Sequence, residues 1–97
     1  MNSKLSLKDF EGAVVKTFSE QVPGAKITSE TIVDGLLGSL EFVEAGVALH
    51  KEFKRIGFDV SDELFDDEIE NAMTSTKTPT VAHLAKHFHG LSETIVK

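Results

Sequence analysis

A four-helix, all-α bundle follows from three observations on this sequence. Apolar residues recur at three- and four-residue spacing in four separate stretches. Proline, glycine or short polar runs punctuate the intervals between them. No stretch alternates apolar and polar residues as a half-buried strand would.

The first helix is read from "LKDFEGAVVKTFSEQV", where Leu7, Phe10, Val14 and Phe18 make one apolar stripe. Ser6 is its expected N-cap, and "VPGAK" ends it. "ITSETIVDGLLG" then reads as a long loop anchored by Ile27, Ile32 and Leu36 or Leu37. The second helix spans Leu40 to Ile56 and stops at "GFD". "SDELFDDEIENAM" is a third helix capped by Ser61. In "TPTVAHLAKHF", Thr78 is the expected cap and Pro79 the first helical residue. Val81, Leu84, Ala85 and Phe88 form the last core stripe, and Gly90 is the expected stop. The chain is read as one domain, 1–97, with 91–97 as a fraying tail. The seven phenylalanines are assigned to the core.

Composition narrows the function classes. With no cysteine, disulfides, thiolate metal sites and Cys nucleophiles are excluded. A net charge of −6 disfavours nucleic acid and suits basic protein partners. No apolar run approaches the ~20 residues of a membrane span, and the first eleven residues do not read as a signal peptide. A cytoplasmic monomer is the expectation.

The second helix carries two stripes. Phe42, Ala45, Leu49, Phe53 and Ile56 fall on one side, and Leu40, Val43 and Val47 on another. Either the helix is buried broadly, or the second stripe is exposed and docks partners across an acidic rim of Glu41 and Glu44. Ser39 stands at its start in "DGLLGSLEFVE". Three readings stay open for it: an N-cap, a nucleophile, or an attachment point. The nucleophile lacks a visible base and the G-x-S-x-G elbow. A phosphodiester on Ser39 would meet free N–H groups at a helix start.

"DGLLGSLEFVEAGVALHKEF" resembles the second-helix region of acyl carrier proteins and peptidyl carrier domains, and "TPTVAHLAKHF" resembles their final helix. The resemblance covers about residues 27–88 and implies a small four-helix bundle of the acyl-carrier type. It implies that Ser39 bears 4′-phosphopantetheine, whose thiol holds acyl or aminoacyl groups as thioesters for lipid, polyketide or related biosynthesis. Leu40, Glu41, Val43, Glu44 and Val47 match the positions that partners read, and Phe53 matches the aromatic residue near the end of that helix. The implied partners are a phosphopantetheinyl transferase, a loading ligase or synthase, and an acyltransferase. On this reading the chain is a carrier and not an enzyme. Gly38 stands where the family usually has Asp. His50, Lys51, Lys54 and Arg55 make the far half of the helix basic, which implies a specialised member. The alternative is an unmodified carrier-like bundle acting as a protein-interaction module.

Two further clusters read as surface. His83 and His87 lie four apart with His89 beyond, and a solvated face is favoured over a metal site. Asp62, Glu63, Asp66, Asp67, Glu68 and Glu70 lack the glycine of a calcium loop and read as a solvated or partner-facing surface.

Overall fold

The computed structural model describes residues 5–33, 35 and 38–95; of Ser39, Thr94 and Ile95 it describes the backbone alone. Among the described residues there are four helices: α1 (Leu7–Gln21), α2 (Ser39–Ile56), α3 (Asp62–Thr74) and α4 (Val81–Ile95). Each helix packs on two others: α1 on α2 and α4, and α3 on α4 and α2. The result is a compact four-helix bundle.

Local chemistry sets the helix ends. Ser6 and Asp9 form a reciprocal capping box at α1, with Ser6 Oγ accepting from the Asp9 N–H at 3.2 Å. Ser61 caps α3 by accepting from the Leu64 N–H at 3.1 Å. Gly57 closes α2 at φ 111°, a left-handed conformation that favours glycine. There the Phe58 N–H reaches back to the Phe53 carbonyl at 2.8 Å.

Phe53 is the hub of the core. Its ring meets those of Phe10 (5.2 Å), Phe58 (5.8 Å), Phe65 (6.0 Å) and Phe88 (5.0 Å), so one side chain of α2 touches α1, α3 and α4. Six of the seven phenylalanines are buried, and Phe42 is half-buried at the rim. Of the stripe read on α2, Ala45, Leu49 and Phe53 are fully buried while Phe42 and Ile56 pack partly against the core.

Several expectations are corrected. Helix α4 begins at Val81, not at Pro79. Thr80 supplies the cap, its Oγ1 accepting from the His83 N–H at 3.1 Å. The reason is a short antiparallel bridge between Ile32 and Thr80. The Val33 N–H donates to the Pro79 carbonyl (2.9 Å) and the Val81 N–H to Thr31 (3.0 Å), holding residues 79–80 out of the helix. That bridge also turns Ile32 outward, 48% exposed, and makes Val33 a buried loop anchor beside the expected Ile27. Leu36 and Leu37 lie outside the described residues.

Gly90 does not stop α4, and residues 91–95 continue the helix. Gly90 sits on the exposed side, while Leu91 packs against the core and Ser92 is buried. The Ser92 hydroxyl donates to the His89 carbonyl at 2.7 Å.

Candidate functional site

The start of α2 is positioned from behind. Val33, almost fully buried, and the bridge to Thr80 pin the loop to α4. Gly35, at φ 81°, then turns the chain in a conformation that favours glycine. Gly38, extended at φ −70°, takes the N-cap position, and its carbonyl accepts the first helical bond from the Phe42 N–H at 2.8 Å. Ser39 is therefore the first helical residue and not the cap. Its side chain lies outside what is described. Gly38 offers no side-chain cap, so the first N–H groups of α2 are left without that partner. Gly38 and Leu40 on either side of Ser39 are exposed.

The second stripe of α2 is open to solvent. Leu40, Val43 and Val47 are 69%, 62% and 55% exposed. Glu41 and Glu44 are exposed beside them. All five residues thus share one accessible surface that begins one residue after Ser39. Three large apolar side chains open to water on one helix face are unusual for so small a protein.

Beside this stripe a groove of ≈ 280 Å³ runs between α2 and α3. Phe42, Val43 and Val47 line it from α2, and Phe65, Asp66 and Ile69 from α3. Gly46 lets it lie close to the α2 backbone. It continues into a more polar recess of ≈ 210 Å³, bounded by His50, Asp62 and Asp66. The pairing of α2 with α3 creates this groove, and the periodicity of either helix alone does not reveal it.

The histidines read as surface groups are only partly so, and His50 is not one. His50 is buried: its ring stacks on Phe65 at 4.5 Å, and its Nε2 lies 2.9 Å from the Val60 carbonyl. It is therefore no part of an exposed basic stripe. Lys51, Lys54 and Arg55 are exposed, but Arg55 grips Glu52 through Nε (2.9 Å) and a second guanidinium nitrogen. That bond holds the Glu52 carboxyl below its ordinary range, against burial, which pushes it up; Lys16 also lowers it. His83 and His87, each partly exposed, also meet α3. His87 Nε2 is 2.7 Å from Glu68, and His83 Nε2 is 2.7 Å from Ser75 Oγ.

The Ser75–His83 contact lies at the C-cap of α3. His83 Nε2 also lies 3.0 Å from the Ala72 carbonyl, which can only accept. The Ser75 hydroxyl in turn donates to the same Ala72 carbonyl at 3.0 Å, so all three groups close the end of α3. Among the described residues no group of three or more His, Cys, Asp or Glu side chains could hold a metal ion. No helix of the described residues is long and apolar enough to cross a membrane.

No protein-family model, curated protein or solved structure matches the chain significantly.

Proposed function

We propose that this chain is a carrier, with 4′-phosphopantetheine joined through a phosphodiester to Ser39 and with acyl or aminoacyl groups held on its thiol. The observation that carries the reading is the juxtaposition at the start of α2. A serine at the first helical position is followed by the exposed apolar stripe Leu40, Val43 and Val47, rimmed by Glu41 and Glu44.

The residues present suit the group. A phosphodiester on Ser39 would lie at the positive end of the α2 dipole, beside N–H groups that receive no side-chain cap from Gly38. When bound, the group supplies a thiol on a long flexible tether. The chain itself supplies presentation. The stripe offers apolar contact to modifying and loading enzymes, and the glutamates favour partners with a basic surface. The α2–α3 groove, lined by Phe42, Phe65 and Ile69, offers an apolar shelter to attached cargo. Exposed Lys51 and Lys54 set the far end of α2 apart in charge from its start, which supports a dedicated loading enzyme.

The test is to incubate the apo protein with a phosphopantetheinyl transferase and coenzyme A, and then to map the modified peptide. Modification at residue 39 supports the carrier reading. Its absence, with retained binding of a protein partner to the stripe, supports an unmodified interaction module.

A further inference from the structure

We propose that two copies of this chain pair through α2, antiparallel about a two-fold axis beside Val47, so that the acidic start of each helix meets the basic far half of the other. The inference is independent of what Ser39 carries.

At about 100° per residue, Leu40, Val43, Glu44, Val47, Lys51 and Lys54 fall within an arc of about 100° on α2. All six are exposed, so one open face runs from Leu40 to Lys54, about four turns of helix. Glu41 flanks it near the start. Among the described residues, no ion pair or side-chain hydrogen bond engages Glu41, Glu44, Lys51 or Lys54, whereas Glu52 holds both Arg55 and Lys16. The charges left over are sorted along the face, with carboxylates in its first half and ammonium groups in its second.

That order complements itself only when one helix is reversed. A parallel pair sets like charge against like. In an antiparallel pair centred on Val47, each Val47 meets its own copy at the axis. Glu44, just before the centre, lies within about 1.5 Å of the level of Lys51 of the second copy, on the same side of the face. The two-fold axis repeats that ion pair. Leu40 comes level with Lys54 of the second copy, whose methylene stem covers an apolar neighbour while its ammonium stays in water. Apolar contact at the centre and opposite charges around it are the pattern of an isologous interface.

The pair is weak. One helix face buries less than the ~1,200–2,000 Å² of a stable interface, and a net charge of −6 on each chain opposes approach. Half-association at roughly 0.1 mM is expected. Salt near ~0.15 M favours it, because distant repulsion is screened more than partly buried pairs are. At lower concentration the stripe is free for another protein.

The experiment is sedimentation equilibrium of the full unmodified chain from about 10 µM to about 1 mM in ~0.15 M salt. The average mass is expected to climb from that of one chain towards that of two. Glu44→Lys and Lys51→Glu alter exposed side chains, and helical circular dichroism checks that each variant stays folded. Each alone sets like charges opposite one another and is expected to weaken pairing roughly tenfold. An equimolar mixture of the two is expected to recover it, because one copy then presents lysine at both positions and the other glutamate at both. A wild-type chain that stays single up to about 1 mM overturns the proposal. So do single variants that pair as wild type does, or a mixture that associates no better than its components.

Discussion

The Glu41 carboxylate folds back over Gly38: its Oε1 lies 2.6 Å from the point that a Cβ on residue 38 would occupy. The backbone of Gly38 is extended, so glycine is not needed there for its torsion angles. Its bare α-carbon makes room for a flexible acidic side chain next to Ser39.

Gly38→Ser should therefore be tolerated and should stabilise the fold. The new hydroxyl can cap α2, and the unfolded chain loses glycine's freedom; together these contribute about 0.5–1 kcal/mol. Glu41 must swing away, which is cheap for the end of an exposed side chain. Urea denaturation checks the sign, and a destabilised variant would show that Glu41 itself holds the helix start.

Phe53→Ala should come close to unfolding the protein. Phe53 is fully buried and meets four other aromatic rings. Its truncation is expected to cost ~3–5 kcal/mol, a large share of the ~5–15 kcal/mol that holds a domain of this size. Loss of less than about 1.5 kcal/mol in chemical denaturation would mean that the hub collapses around the gap.

The Glu52–Arg55 contact predicts an acid-dependent term in stability. The Arg55 hydrogen bond holds the Glu52 carboxyl below its ordinary range in the folded protein. Its stabilising contribution is thus present above the unfolded carboxylate range, near about 4.3, and is lost as pH falls through the folded value. Glu52→Gln should lower the denaturation midpoint at neutral pH, and the gap from wild type should close in acid. A gap that stays constant down to about pH 3 would assign the loss to packing instead.

Much of this fold was legible in the chain because its signals are local. The Ser6 and Ser61 caps, the Gly57 stop and the Val81–Leu84–Phe88 stripe each arise within a few residues. What was not legible depends on partners distant in sequence. The start of α4 was displaced by the bridge from Ile32 to Thr80, 48 residues apart by their numbers. His83 and His87 looked solvated on their own helix because α3, which meets them, cannot be read from α4's periodicity. The two-stripe pattern of α2 was visible. That the Leu40–Val43–Val47 stripe is the one left open followed only once α1 and α3 were seen to cover the other side.

The exposed stripe predicts a separation of docking from folding. Val43→Asp and Glu44→Lys alter exposed side chains, so stability should change by no more than about 0.5 kcal/mol. Both should slow modification by the transferase. The effect of Glu44→Lys should shrink as salt rises, because exposed charges act on encounter and are screened. Rates that match wild type at low salt would move the docking surface elsewhere.

Carrier function at the stripe and the groove depends on Ser39 bearing the functional group. Intact mass of the wild-type chain and of Ser39→Ala, each treated with a phosphopantetheinyl transferase and coenzyme A, tests it most directly. The wild-type chain should gain the mass of one phosphopantetheine. The alanine variant should gain none while keeping wild-type helical circular dichroism. An unchanged wild-type mass, or the same gain in Ser39→Ala, would contradict it.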